Sequence, residues 1–294
     1  MAVAAFAPAK INLYLHVIGR RDDGYHLLDS LVAFLDIGDR LTAEPAASLS
    51  LTVDGPEAAA LAAIGDDNLV LGAARLLAER AGIAAGAALH LKKHLPVAAG
   101  IGGGSSDAAA ALLALKRLWR ISLDDEALCA LGARLGADVP GCLYGRAVWV
   151  GGIGERLDPA GPLPDAGILL VNPRRALPTA AVFAARSCPF GYVGRFTPMP
   201  NKASALARAL MPRRNDLTEA AIGLVPEIAG VLARLGRLPG SLLARMSGAG
   251  ATCFALFADR AAAEEARKMV AAAEPRWWCA AGGFVSEASL AGYG

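Results

Sequence analysis

Six residues between positions 100 and 106 have the types and spacing that most suggest chemistry. Gly100, Gly102, Gly103, Gly104, Ser105 and Ser106 lie in "PVAAGIGGGSSDAAAALLAL" (96–115), directly ahead of a run of alanine and leucine. The least ordered residues thus precede the best helix formers. The first N–H groups of a helix have no partner within it, and its dipole favours an anion there. Glycines ahead of such a start let several backbone N–H groups converge with no Cβ in the way. Two serine hydroxyls can add contacts to a phosphate oxygen or a bound metal. The stretch reads as a polyphosphate cradle. Better-known loops fit less well. No lysine follows the glycines, so G-x-x-x-x-G-K-[ST] is absent. Gly100 and Gly102 begin a dinucleotide fingerprint, but Ser105 stands where its third small residue belongs. No G-x-S-x-G elbow occurs. A glycine-rich loop without a ligand is the plain structural alternative.

Two charged residues stand out elsewhere. Lys10 follows Pro8 in the otherwise apolar stretch "MAVAAFAPAKINLYLHV". A lysine there needs a partner or a site, unless it faces solvent. Asn12 falls on the same strand face, two residues on. Asp138 sits between Gly136 and Pro140 in "LGADVPGC", in a helix-to-loop turn. From spacing alone it reads equally as an exposed helix-end carboxylate.

These residues need elements to position them. Residues 3–18 alternate with period two, Ile11, Leu13, Leu15 and Val17 against Asn12, Tyr14 and His16, which predicts a strand. A polar turn (19–26) leads to a second strand pair or one bent strand (27–46), and 49–56 is a further strand and turn. A helix over 66–83 opens at Asp67 or Asn68 and closes at Gly82. Residues 86–96 alternate again, with Leu89, Leu91 and Lys93 on one side. The glycine cluster therefore follows a strand and opens a helix running to about Trp119, with Asp107 as a first-turn carboxylate. Over 122–136 Ser122 is expected to cap a helix, Asp125 to take the capping-box position and Gly136 to close it. "AVWVGGIGERL" is a strand into a glycine turn. "PAGPLPDAG" (159–167) reads as a hinge. Beyond it lie a buried strand ("GILLVNP"), a helix from "LPTAAVFAA", an irregular surface loop (190–202) and helices broken near Pro226. A small-residue loop before a buried strand (241–258), a helix (259–273) and a last strand in "WWCAAGGFV" complete the chain. Strands and helices mix without regular β-α-β alternation, which predicts an α+β fold.

Composition sets the outer bounds. The 294 residues are 55% hydrophobic and 19% charged, with a formal net charge of +2. No strong field points to nucleic acid or an anionic membrane. Five scattered cysteines form no C-x-x-C pair, which favours reduced thiols in a cytoplasm over a disulfide framework. The N-terminus lacks the basic start of a signal peptide, and no apolar run approaches the roughly 18 residues of a membrane span. A cytoplasmic protein without membrane or nucleic-acid partners is expected.

The motifs together resemble the GHMP kinase superfamily. "PVAAGIGGGSSDAA" is similar to its second motif, P-x-x-x-G-[IL]-[GS]-[GS]-[GS]-S. "MSGAGATCFALF" (246–257) is similar to its third, with Ala249 where a serine often stands. "APAKINLYLHVIGRRDDGYHLLDSL", "LGADVPGCLYG", "GIGERL", "VNP", "LPTAAVF" and "RNDL" follow in the order of the branch whose acceptor is CDP-methylerythritol. The resemblance covers nearly the whole chain. It implies an α+β, two-domain GHMP kinase fold: a ribosomal-protein-S5-like domain over 1–157 and a ferredoxin-like α/β sandwich over 158–294. It implies ATP along Pro96, Val97, Ala98, Ala99, Gly100, Ile101, Gly102, Gly103, Gly104, Ser105 and Ser106, with phosphates from Gly102 onward. Mg2+ is expected with the phosphates. No carboxylate stands out as its dedicated ligand, and Ser105 or Ser106 is the candidate contact. Ser247, Gly248 and Gly250 would support the loop.

The same resemblance makes Asp138 the catalytic base and Lys10 its partner, whose ammonium can stabilise charge on the transferring group. Asn12 would meet the methylerythritol part. Tyr25 would stack on cytosine with Phe183 facing it, His26 would bond its edge, and Thr179 would touch the sugar side. The implied reaction is transfer of the γ-phosphate to the 2-hydroxyl of CDP-methylerythritol, in non-mevalonate isoprenoid synthesis, by a monomer or weak homodimer. The alternatives are another small-molecule kinase of the superfamily (homoserine or mevalonate type), a nicotinamide-dependent reductase, or a non-catalytic nucleotide sensor.

Overall fold

Two long antiparallel strands, β1 (Val3–Arg20) and β2 (His26–Ala46), form the spine of the computed structural model, which describes residues 1–62, 68–83, 86–191 and 194–285. The expected polar turn joins them. β2 is one continuous strand of 21 residues, where the sequence left a strand pair open. It is followed by β3 (Ser50–Asp54), α1 (Ala58–Ala62), α2 (Leu69–Ala81) and β4 (Gly86–Lys92). Next come α3 (Gly103–Leu118), α4 (Asp125–Ala133), α5 (Val139–Tyr144), β5 (Val148–Gly152) and β6 (Arg156–Pro159). These strands make a six-stranded sheet in which β1 covers one edge of β2, while β4 and β5 take different halves of the other edge.

Local chemistry explains the helix ends. Asn68 caps α2, accepting from the Val70 N–H, and Gly82 closes it at φ +64°. Asp67, the other cap considered, lies outside the described residues. The cap of α4 is Asp124, which accepts from the Ala127 N–H at 2.8 Å, rather than Ser122, and the helix stops at Ala133, short of Gly136. Asp124 is itself a cap-type residue two positions on, so composition alone could not separate the two. α1, a helix of five residues, was not anticipated.

The second half holds β7 (Gly167–Asn172), α6 (Thr179–Ala185), α7 (Ala203–Leu210), α8 (Thr218–Leu224), α9 (Glu227–Gly236), β8 (Leu243–Met246), β9 (Cys253–Phe257), α10 (Arg260–Ala273) and β10 (Trp278–Gly282). Its sheet runs β10-β7-β9-β8, all antiparallel. β7 and β9 are buried at every position, as their unbroken apolar runs require. One face carries Leu169, Val171 and Phe257 against α8, α9 and α10; the other carries Ile168, Leu170 and Phe254 against Ile11, Leu13 and Leu35 of the first sheet. Backbone bonds stitch the halves together. Leu15 pairs with Arg214 and Asp216, and residues 283–285 return to pair with Phe34 and Asp36. No helix among the described residues is long and apolar enough to cross a membrane.

Candidate active site

β1 breaks its ladder where it presents Lys10 and Asn12. Its register with β2 shifts between Pro8 and Lys10 and again between Asn12 and Tyr14. Pro8 has no N–H to give, and the Lys10 N–H turns instead to the Ile101 carbonyl in the glycine loop (2.9 Å). Such irregularities re-aim side chains. Lys10 is 8% exposed, yet its Nζ reaches the cleft and stands 3.1 Å from Asp138 Oδ2 and 3.3 Å from Asn12 Oδ1. Asp138 occupies the N-cap position of α5 with its carboxylate half exposed and making no cap bond, so the group is free for the cleft. The sequence placed it at the end of a helix; it opens the next one.

The two glycine-rich loops pack backbone against backbone. A Cβ at Gly100 would fall 2.4 Å from the Gly250 carbonyl oxygen, and one at Gly248 would fall 2.8 Å from the Gly100 oxygen. These glycines are therefore required by packing. Ser247 Oγ accepts from the Asn12 N–H (3.2 Å) and donates to the Gly100 carbonyl (3.0 Å), joining β1 to both loops. Thr252 N–H donates to Ala99, and Asn215 Nδ2 donates to the Met246 and Gly248 carbonyls. Gly102, at φ +65°, lies against the Lys10 stem. Ala249 leaves the turn intact and packs into the second-half core.

The two loop serines differ. Ser105 is half-buried at the cleft wall. Ser106 is fully buried, and its hydroxyl donates to the Pro8 carbonyl at 2.7 Å. It helps hold the β1 irregularity, which corrects the expectation that its hydroxyl meets a phosphate or metal. Asp107 also differs from its reading as a plain helix-start carboxylate. It is buried against Lys93 Nζ (2.6 Å), which also meets Asp39 (2.5 Å). Burial pushes Asp107 up to about 7; Lys93 opposes that and Asp39 adds to it. Burial disfavours the Lys93 ammonium, but the two carboxylates outweigh it and hold its pKa above the usual value. Asp39 Oδ1 accepts from the His94 and Leu95 N–H groups, which fixes the segment entering the glycine loop.

These walls enclose a cleft of about 1350 Å³. Lys10, Asn12, Tyr25, His26, Thr179, Phe183, Asp138 and Gly248 line it, as do Pro96, Val97, Ala98, Ala99, Gly100, Gly102, Gly103, Gly104 and Ser105. Ile101, Ser106, Ser247 and Gly250 stand behind the wall. Also on the cleft wall, the ring stacked on Phe183 is His26, with centroids 5.1 Å apart and planes 26° from parallel. Tyr25 beside them is 60% exposed. Burial, then the charges of Arg20 and Arg186, lower the pKa of His26 and favour neutral imidazole.

Family models describe both halves of this architecture: a GHMP kinase N-terminal domain matches residues 68–146 and a GHMP kinase C-terminal domain matches 201–275. A 4-diphosphocytidyl-2-C-methyl-D-erythritol kinase from Rhodospirillum rubrum is 55% identical over 280 residues, covering 95% of this chain and 92% of the relative. The chain belongs to the 4-diphosphocytidyl-2-C-methyl-D-erythritol kinase family, within the GHMP kinases. A crystal structure of a 4-(cytidine 5'-diphospho)-2C-methyl-D-erythritol kinase is 38% identical with a TM-score of 0.79, covering 97% of this chain and all of that one. A homoserine kinase from Cytophaga hutchinsonii shares the fold (TM-score 0.69, coverage 96% and 94%) at 18% identity.

Several residues around the cleft of this GHMP kinase had no role legible in the sequence. Lys93 carried a signal, since it shares a strand side with buried Leu89 and Leu91. Ser30 and Asn215 fall inside the stretches "APAKINLYLHVIGRRDDGYHLLDSL" and "RNDL", but with no role attached to them. Asp39 carried no signal, because its partners lie 54 to 56 residues away.

Proposed function

We propose that the chain transfers the γ-phosphoryl group of ATP to the 2-hydroxyl of CDP-methylerythritol, a step of non-mevalonate isoprenoid precursor synthesis. The observation that carries this reading is the Lys10–Asp138 pair, 3.1 Å apart, in a cleft that the glycine loop and the His26–Phe183 rings also line. Phosphoryl transfer depends mainly on positioning and charge stabilisation. In this reading Asp138 takes the proton of the attacking hydroxyl, and Lys10 stabilises charge on the transferring oxygens. Backbone N–H groups from Gly102 to Ser105 hold the phosphates at the start of α3. Ser247, Gly248 and Gly250 brace that loop from behind. The described residues contain no cluster of three metal-ligating His, Cys, Asp or Glu side chains. Mg2+ would enter with ATP and neutralise charge on its phosphates, and Ser105, on the cleft wall, is the residue whose hydroxyl could meet it.

The part of the cleft lined by Tyr25, His26 and Phe183 takes the cytidine. Phe183 and Tyr25 offer faces to the base, and neutral His26 offers one donor and one acceptor to its edge. Thr179 and Asn12 face the sugar and the methylerythritol part. Arg20 and Arg186, also on the wall, supply positive charge for the diphosphate. We assign two domains, 1–157 and 158–294; the first sheet ends with β6, which runs two residues past that boundary to Pro159, and the second opens at Gly167. Five free thiols fit a reducing cytoplasm.

An acceptor panel tests the reading. ADP release is measured with MgATP and CDP-methylerythritol, homoserine or mevalonate. Turnover that needs the cytidine compound supports it. Turnover with homoserine or mevalonate instead would transfer the chain to another GHMP activity.

A further inference from the structure

Behind Lys10 the hydrogen-bond polarity is fixed by a residue that does not itself reach Lys10. We propose that Ser30 is a positioning residue: it sets the orientation of the Asn12 amide and, through it, the place of the Lys10 ammonium beside Asp138. The inference rests on the roles given above to Lys10 and Asp138.

The register shift between Asn12 and Tyr14 leaves β1 carbonyls to be satisfied by side chains. Arg245 Nη1 donates to the Leu13 carbonyl at 2.6 Å, and Ser30 Oγ donates to the Tyr14 carbonyl at 2.5 Å. A serine hydroxyl has a single proton. A carbonyl can only accept, so that proton is committed to Tyr14. Ser30 Oγ can then meet Asn12 only as an acceptor, and it lies 2.8 Å from Nδ2. This turns Asn12 Oδ1 towards Lys10 Nζ, 3.3 Å away. Lysine has donors and no acceptor, so only this orientation suits it. The flipped amide would face donor to donor at Lys10 and acceptor to acceptor at Ser30. Ser30, Asn12 and Lys10 are 1%, 5% and 8% exposed, which leaves little water to relieve such a mismatch. With Oδ1 engaged by Lys10 and one Nδ2 proton by Ser30, Asn12 acts chiefly by holding Lys10.

The test is a double-mutant cycle on the full chain. Ser30→Ala, Asn12→Ala and the double variant are assayed for kcat and for both KM values, with denaturation midpoints checking that each is folded. Loss of one buried hydrogen bond predicts a kcat about tenfold lower in Ser30→Ala, with both KM values within about twofold. In the Asn12→Ala background the same change should cost nothing further. If Ser30→Ala does not fold, Ser30→Thr and Ser30→Val carry the comparison, since they match in bulk and differ by the hydroxyl. The threonine variant should then be about ten times the faster. Equal losses with and without Asn12, or a loss confined to KM, would overturn the inference. Lys10→Ala and Asp138→Ala are run alongside. Full turnover in those variants would sink the underlying roles; their inactivity with an additive cycle would sink only the role of Ser30.

Discussion

Two glycines in one loop should fail in opposite ways when changed to alanine. At Gly100 the backbone has φ +74°, and an added Cβ would stand 2.4 Å from the Gly250 oxygen and 2.8 Å from the Ser247 oxygen. The left-handed conformation costs a non-glycine residue about 1–2 kcal/mol. Contacts that close, against backbone that cannot swing aside, add about 1–3 kcal/mol. Gly100→Ala should therefore destabilise the fold by about 2–5 kcal/mol, because the two loops must part. At Gly104 an added Cβ would meet only Leu69 Cδ1, at an ordinary 3.5 Å, and the residue is in α3. Gly104→Ala should leave stability unchanged or raise it by about 0.5–1 kcal/mol. Its methyl group would intrude where a phosphate must approach, so the KM for ATP should rise about tenfold or more, a penalty of about 1.4 kcal/mol upward. Urea unfolding and ATP titration at saturating acceptor measure both effects. A Gly100→Ala variant within about 0.5 kcal/mol of wild type would show that the two loops need no glycine at their contact, and normal ATP binding by Gly104→Ala would place the phosphates elsewhere.

Three further outcomes follow from the same geometry. Ser106→Ala should cost about 1–3 kcal/mol of stability through the orphaned Pro8 carbonyl and leave the KM for ATP unchanged, whereas Ser105→Ala should do the reverse; the two variants are separated by the same unfolding and titration experiments. Asp107 has a native pKa of about 7, above its unfolded value of about 3.9, so its share of stability is present at low pH and is lost as pH rises from about 4 to 7. Asp107→Asn should remove up to about 1.4 kcal/mol per pH unit of that slope, seen by urea unfolding at pH 5, 6 and 7; an unchanged slope would refute the assignment. Phe183→Ala should raise the acceptor KM by about 5–150-fold, from a base-stacking energy of about 1–3 kcal/mol, while the KM for ATP stays constant; equal effects on both would place the base elsewhere.

Local pattern made much of this legible. The period-two alternation of β1, the buried runs of β7 and β9 and the glycine-to-alanine switch at α3 each follow from neighbouring residues. The cleft residues were legible as types: a lysine in an apolar strand and a carboxylate between glycine and proline. What the sequence withheld was long-range pairing. The residues around Lys10 do not themselves indicate that Asp138 folds back to meet it; only the family resemblance paired the two. Ser105 and Ser106 are indistinguishable as letters, and only the helix turn sends one to the cleft wall and the other to Pro8. Asp107 reads as a helix-start carboxylate until Asp39 from β2 and Lys93 from just past the end of β4 arrive beside it. His26, rather than Tyr25, meets the Phe183 ring, because the partner comes from the other half of the chain. Asn12 was legible as a polar residue beside Lys10, but its orientation depends on a serine from β2.

In the proposed reaction Asp138 and Lys10 together drive phosphoryl transfer to CDP-methylerythritol. Single-turnover transfer from MgATP, followed in wild type and Asp138→Ala at saturating substrates, tests it most directly. Transfer is expected in the wild type and near-complete loss in the variant, with nucleotide binding retained. Transfer at an undiminished rate in Asp138→Ala would contradict it.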